Sequence, residues 1–264
     1  METAFVTYRS AKLFYRITGK GKPVLLLHGF GEDGDIWQNQ VDVLKENNQL
    51  VIPDLPGSGR SEMINDMSVE GIADAIKYLL EEVLKKDDTI TLLGHSMGGY
   101  ILLAFAEKYA GIISSFGLVH SSAFADNEEK ISTREKAIEF IKKNGAYEFL
   151  KTSTPGLFKD PEGISAIECN SLIEKGRLFA PQALIAYYRA MINRPDRSII
   201  LKSFTQPILF IIGQHDKAIP FQQSLQQCYL PNQSHVHILR NSAHMGMIEE
   251  KEKVNNILEE FLAL

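Results

Sequence analysis

The chain has 264 residues, which suits one large domain carrying an insertion better than two full domains at roughly 150 residues each. Apolar residues make up 44% and charged residues 23%, which excludes wholesale disorder and leaves material for a sizeable core. The net charge of -5, from 28 basic and 33 acidic residues without a basic block, argues against the basic face that a nucleic-acid binder presents.

Met1 to Ser10 has no apolar segment behind a basic start, and no run approaches the roughly 18 uncharged apolar residues needed to cross a bilayer, so no leader or membrane anchor is expected. Cys169 and Cys228 sit outside any CxxC or Cys/His cluster. They read as two reduced thiols of a cytoplasmic protein and not as a zinc site.

In chain order, Ala4 to Arg9 and Lys12 to Thr18 alternate around Ser10-Ala11 and predict a hairpin. Val24-Leu25-Leu26-Leu27 is apolar without alternation, as a parallel strand covered on both faces requires. Ile36 to Glu46 has a rough helical pattern, and Leu50-Val51-Ile52 is a second covered strand ending at Pro53-Asp54. Val69 to Lys85 predicts a helix capped by Ser68. Thr89 to Leu93, Met97 to Tyr109 and Ile113 to Val119 continue as strand, helix and strand. This alternation predicts a doubly wound, mostly parallel α/β sheet.

The rhythm stops near Ser122 and resumes near Gln206. Between them lie helix signals: a capping box at Ser132-Thr133-Arg134-Glu135, an N-cap followed by proline at Asp160-Pro161, and Pro181 ahead of Gln182 to Asn193. The expected organisation is therefore a core of residues 1–121 and 206–264 with a helical cap, residues 122–205, inserted in it. The chain closes with a strand at Pro207 to Ile212, a helix at Phe221 to Tyr229, a strand at Val236 to Leu239 and a helix at Met247 to Leu262.

The strongest local signal is Gly94-His95-Ser96-Met97-Gly98-Gly99, a GxSxG between a strand and a helix. A serine at so sharp a turn needs small residues two before and two after it, and Gly94 and Gly98 supply them. The turn would project the Ser96 hydroxyl above the strand ends and leave the Met97 N–H at a helix N-terminus, suited to an oxyanion.

A serine hydroxyl is a weak nucleophile without a base, and the base needs an orienting acid. In an α/β sheet the order Ser, acid, His places these in loops after later strands. Asp216 in Gly213-Gln214-His215-Asp216 and His244 in Asn241-Ser242-Ala243-His244 occupy those places. The earlier loop, His120-Ser121-Ser122, offers no carboxylate, so Asp216 is preferred. In His28-Gly29-Phe30, the Phe30 N–H is the second candidate oxyanion donor.

Gly29, Gly31 and Gly34 also fit GxGxxG, with Asp54 about 20 residues further on as in a dinucleotide site. Glu32, Asp33 and Asp35 fill that loop and would repel a pyrophosphate, so the reading is set aside. Asp54 to Ser61 reads as a structured loop that supports the site without reacting.

Together, His28-Gly29-Phe30, Asp54 to Ser61, Gly94 to Gly99, Gly213 to Asp216 and Ala243-His244 resemble the α/β-hydrolase family over essentially the whole chain. They are most similar to its small capped enzymes: carboxylesterases, cofactor-free haloperoxidases or perhydrolases, carbon–carbon bond hydrolases and the synthase of the menaquinone precursor SHCHC. The resemblance implies Ser96 as nucleophile, His244 as base, Asp216 as its orienter, and the Phe30 and Met97 amides as oxyanion hole. Serine at 96 departs from dehalogenases and epoxide hydrolases, which carry aspartate there.

The expected function is hydrolysis of a small acyl substrate, most simply a carboxylic ester, through an acyl-enzyme on Ser96. No metal, cofactor, nucleic-acid or membrane partner is implied. Phe124, Tyr187 and Tyr188 are candidate substrate-lining residues from the cap. Two other readings stay open: a C–C hydrolase or lyase-type synthase drawing on Arg134, Arg177 and Arg189, and a non-hydrolytic small-ligand receptor. Lys130, Arg134, Glu135, Lys136 and Glu139 interrupt the apolar positions of the cap, which predicts a solvated outer face and short or medium acyl chains over lipids.

Overall fold

The computed structural model describes residues 1–85 and 88–264. Eight strands form one sheet in the order β1-β2-β4-β3-β5-β6-β7-β8. They are β1 (Glu2–Tyr8), β2 (Ala11–Thr18), β3 (Lys22–Leu27), β4 (Asn48–Pro53), β5 (Ile90–His95), β6 (Ile113–Val119), β7 (Ile208–Gly213) and β8 (Ser234–Leu239). The hairpin pairs Tyr8 with Ala11, β2 runs antiparallel to β4, and every pairing from β4 to β8 is parallel.

The unbroken apolar strands serve two cores at once, because successive side chains point to opposite faces. Leu25, Leu27, Leu92, Phe116 and Phe210 meet the helices α2 (Val69–Val83) and α3 (Met97–Tyr109) through Ile72, Leu79, Ile101 and Phe105. Val24, Leu26, Leu93, Val119 and Leu209 meet the other face, where Leu44 of α1 (Gln38–Leu44) and the carboxyl-terminal helix contribute.

Four helices connect β6 to β7: α4 (Glu128–Ser153), α5 (Ala166–Lys175), α6 (Pro181–Asn193) and α7 (Ser198–Ser203). Their starts differ from the sequence reading in two places. α4 begins a turn before Ser132, because the Asn127 side chain accepts the Lys130 N–H. Asp160 closes a turn on Gly163 and Ile164 instead of starting a helix, and α5 opens only at Ala166. Pro181 opens α6 as its fixed φ favours. α4 also breaks at Gly145, whose φ of 87° lies in the left-handed region.

After β7 come α8 (Phe221–Cys228), and after β8 α9 (Gly246–Glu249) and α10 (Lys251–Leu262), where one continuous helix was expected. The break at Glu250 follows from two acids turning back. Glu249 Oε2 accepts the Ala243 N–H at 2.8 Å, and Glu250 Oε2 accepts the Asn241 N–H at 2.9 Å and the Ser242 hydroxyl at 2.8 Å. The helix is sacrificed to hold the loop that carries His244.

The strand order reverses between β3 and β5, since the chain leaves β3 toward β4 and returns on its other side. A crevice at the carboxyl ends of the strands forms at such a switch point. Leu27 pairs with Gly94 there, so His28 and Gly29 emerge beside His95 and Ser96.

Candidate active site

Ser96 lies between the end of β5 and α3 with φ 51° and ψ -116°, a left-handed conformation that a non-glycine residue keeps only when its surroundings impose it. The surroundings are two backbone bonds: the Ser96 N–H donates to Val119 O at 3.0 Å, and the Ser121 hydroxyl donates to Ser96 O at 2.7 Å. A Cβ on Gly94 would stand 2.6 Å from Gly99 N, and one on Gly98 would stand 2.5 Å from Leu27 O. Both glycines are therefore obligatory for the turn. Ser96 occupies the N-cap of α3 without using its side chain as a cap, and it is half-buried, so the hydroxyl is left for other work.

The next three strand ends bring further groups. Val119 pairs with Ile211 and Gly213 with Leu239, which sets the loops after β6, β7 and β8 side by side. Asp216 Oδ2 lies 2.8 Å from His244 Nδ1, and both residues are buried. Asp216 Oδ1 accepts the N–H groups of Ala218 at 2.8 Å and Ile219 at 2.9 Å. Burial would raise the Asp216 carboxyl, but the charge and hydrogen bond of His244 outweigh it and hold it well below the usual carboxylate range. An ionised Asp216 fixes the proton of His244 on Nδ1 and leaves Nε2 as the basic nitrogen.

The loop after β3 completes the arrangement. A Cβ on Gly29 would meet Ser96 Cβ at 3.2 Å, so this backbone passes directly against the candidate nucleophile. His28 braces it from below, donating from Nδ1 to Gly29 O at 2.8 Å and accepting the Leu55 N–H on Nε2 at 2.9 Å. Met97 opens α3, where the first N–H groups of a helix have no partner within it.

A sequence profile described as "alpha/beta hydrolase fold" matches residues 22–147. The chain is 24% identical to the pimeloyl-[acyl-carrier protein] methyl ester esterase of Methylococcus capsulatus over 95% of its own length and 98% of that protein. It is 28% identical to lipase 1 of Psychrobacter immobilis, over 96% of this chain and 81% of the lipase. Among solved structures, a thermophilic esterase from Thermogutta terrifontis superposes with a TM-score of 0.92 at 26% identity, covering 100% of this chain and 98% of the other. The chain has the α/β-hydrolase fold.

In this α/β-hydrolase the Asp54 to Ser61 loop is structural, as its composition predicts. Asp54 is buried and binds the Arg16 guanidinium at 2.6 Å and the Gly34 and Arg60 N–H groups at 2.9 Å each. Two of the acids that argue against a nucleotide loop are consumed internally: Lys175 of α5 binds Asp33 at 2.9 Å and Asp35 at 2.8 Å, and Arg16 binds Asp35 at 2.8 Å.

Of the three cap candidates, Tyr188 packs against the loop after β3. Its ring stacks on Phe30 at 4.3 Å between centroids, with Phe149 edge-on to both. Tyr187 is sealed off: it is fully buried, donates its hydroxyl to Pro56 O at 2.6 Å and receives the Ser58 hydroxyl at 2.9 Å, so it locks α6 to the core instead of lining a pocket. Phe124 is half-buried and gives its carbonyl to Arg194 at 3.0 Å. Beside Tyr188 a cleft of about 720 Å³ opens, lined by Lys130, Arg134, Lys217, Ala218 and Gln223 among others.

Two groups in the α/β-hydrolase site escaped the sequence reading. His120, directly after β6, is buried with φ 48°, and its Nδ1 lies 3.4 Å from Asp216 Oδ2 without hydrogen-bond geometry. Burial pushes its imidazole down to about 4, so it is neutral. His120, Asp216 and His244 bring ligand atoms within 4.8 Å of one another, a set that could hold a metal ion, but Asp216 and His244 already satisfy each other. The second group is Glu32, buried against His95 with Nδ1 to Oε2 at 3.0 Å. A histidine inside a GxSxG and an acid inside a glycine-rich loop carry no local signal of pairing.

Proposed function

We propose that this α/β-hydrolase cleaves small carboxylic esters through an acyl-enzyme on Ser96. The observation that carries the reading is the convergence of the strained Ser96 turn, the buried Asp216–His244 pair and the Gly29–Phe30 loop at one strand-order reversal. Relatives named as esterases and lipases support the same chemistry.

In the proposed cycle His244 Nε2 takes the Ser96 proton as Oγ attacks the ester carbonyl. The Phe30 and Met97 N–H groups bind the oxygen as it becomes an oxyanion, where one such donor is worth roughly 10²–10³ in rate. The imidazolium, stabilised by Asp216, then protonates the departing alkoxide. Water deprotonated by the same nitrogen attacks the acyl carbon, and collapse returns the carboxylic acid and free Ser96. Residues 122–205 act as the cap over this site and residues 1–121 with 206–264 as its core, with the Phe30–Tyr188–Phe149 cluster as the apolar wall. Buried free Cys169 and Cys228 suit the reducing cytoplasm. No helix of the described residues is long and apolar enough to cross a membrane.

Two of the three arginines that a C–C hydrolase would turn toward an anionic substrate have other partners: Arg134 binds Asp126, and Arg177 binds Glu174; Arg189 is exposed and lines a separate cleft with Met67 and Asn193. Ester hydrolysis is accordingly preferred. The test compares wild-type protein with Ser96→Ala on p-nitrophenyl acetate and butyrate. A loss of at least about three orders of magnitude with an unchanged melting temperature is expected. Near wild-type turnover by the variant would overturn the acyl-enzyme reading.

A further inference from the structure

His95 immediately precedes Ser96 and is completely buried. Its two ring nitrogens are both engaged. Nδ1 lies 3.0 Å from Glu32 Oε2, and Nε2 lies 3.0 Å from the backbone oxygen of His244. Glu32 Oε2 also accepts the Gly29 N–H at 2.7 Å. One imidazole thus joins three segments that are remote in the chain: the loop presenting the Phe30 amide, the turn presenting Ser96 and the loop presenting His244.

The chemistry of these partners dictates the protonation. A backbone carbonyl accepts only, and an ionised carboxylate accepts only. A neutral imidazole has one N–H, so it would oppose a lone pair to one of the two oxygens. A doubly protonated ring satisfies both, and Glu32, already taking the Gly29 N–H, is its counter-ion. Burial opposes ionising either group, but their mutual charge and hydrogen bond hold Glu32 below and His95 above their ordinary values. A buried pair of this kind is a weak source of net stability and a strong geometric constraint, since removing one partner strands the other's charge.

We propose that Glu32 and His95 form a buried ion pair that acts as the positioning unit of the site, with a doubly protonated His95 holding the oxyanion loop and the His244 backbone to the nucleophile turn. The proposal rests on the roles given above to Ser96 and His244. Neither Glu32 nor His95 touches the substrate. Their task is to keep the donor amides, Oγ and Nε2 in mutual register, where displacements near 1 Å already cost about a hundredfold in rate.

The pair also sets a field. The His95 ring lies 4.9 Å from the His244 ring, with Glu32 behind it. Asp216 faces His244 at 2.8 Å, neutral His120 stands 5.9 Å away between rings, and Glu249 approaches from the α9 side through the Ala243 N–H. A positive neighbour disfavours protonation of the base, so losing it moves the acidic limb of the kcat/KM profile to higher pH.

The experiment has two arms. In the first, ¹⁵N-histidine NMR of Ser96→Ala protein, in which turnover plays no part, is expected to show both His95 nitrogens protonated at pH 7 and above. In the second, Glu32→Gln, which retains the size of the side chain but not its charge, is expected to lower kcat/KM at least about tenfold, chiefly through kcat. Its acidic limb should move up by about half a unit or more, with Glu32→Asp partly restoring both. Glu32→Gln/His95→Gln should lose little more than the worse single variant, as a unit does. A singly protonated His95, or a Glu32→Gln enzyme with wild-type kcat/KM and an unshifted profile, would overturn the proposal. Failure of the Ser96 reading would show separately, as an active Ser96→Ala enzyme.

Discussion

His120 Nδ1 stands 3.4 Å from the same Asp216 oxygen that His244 Nδ1 approaches at 2.8 Å, so one carboxylate faces two buried imidazoles of which only one is properly bonded to it. Burial keeps His120 neutral down to about pH 4. In the unfolded chain it would protonate near 6.5. Between those values the unfolded state binds a proton that the folded state refuses, so stability is fully present above about pH 6.5 and falls toward pH 4, by up to about 3 kcal/mol. Asp216, depressed in the fold, adds stability above its ordinary range and loses it only below about pH 4. His95, raised in the fold, contributes fully below about 6.5 and loses its share as pH rises. The three windows separate. His120→Asn should flatten the decline in melting temperature from pH 7 to 4.5; an equal decline in both proteins would remove His120 as its source.

Gly98 should be irreplaceable. A methyl there would lie 2.5 Å from Leu27 O and 2.7 Å from His28 O, both backbone atoms of the loop that leads to Phe30. Gly98→Ala is expected to destabilise the protein by about 1–3 kcal/mol and to reduce kcat by more than tenfold, because relief of the clash pushes the oxyanion loop away from Ser96. Thermal melts and p-nitrophenyl butyrate kinetics would check this. Unchanged values would mean that the turn has more room than its backbone contacts indicate.

Tyr187→Phe removes the hydroxyl that binds Pro56 O and Ser58 and leaves both without that partner. The expected loss is about 1–3 kcal/mol, read as a lower melting temperature. Since this contact fastens α6 to the core and the ring meets Phe30 only edge-on at 6.4 Å between centroids, kcat should change less than threefold. A large fall in kcat at unchanged stability would instead place Tyr187 at the substrate.

Chain-length preference tests the apolar wall. The Phe30–Tyr188–Phe149 cluster offers a compact apolar surface to a small acyl group, and kcat/KM on p-nitrophenyl esters from two to sixteen carbons is expected to peak below twelve. The outer face is less uniformly polar than its sequence suggests, however, since Ile164, Ile167 and Leu178 are 90%, 81% and 78% exposed. Rate acceleration on a triolein emulsion, or a maximum at twelve carbons or longer, would assign those side chains to a lipid surface.

Much of this protein is legible in local pattern. Unbroken apolar runs such as Val24 to Leu27, short and set off by Gly21 and Gly29, fit strands covered on both faces, and Gly94-x-Ser96-x-Gly98 announces a turn that no bulkier residues could make. Asp216 and His244 follow from the order of loops, because parallel strands place all their carboxyl ends along one edge. Local pattern is silent where partners are distant. Glu32 and His95 are 63 residues apart, and His95 and the His244 carbonyl 149. Nothing in the spacing of either histidine distinguishes a buried ion pair from a surface residue. The same holds for Tyr187 and Tyr188, adjacent in a helix and alike in chemistry, of which one is sealed against Pro56 and the other stacks on Phe30. Periodicity sets which faces are apolar, since it depends on neighbours in the chain. Which polar groups meet inside depends on how the sheet is wound, and only the folded structure decides that.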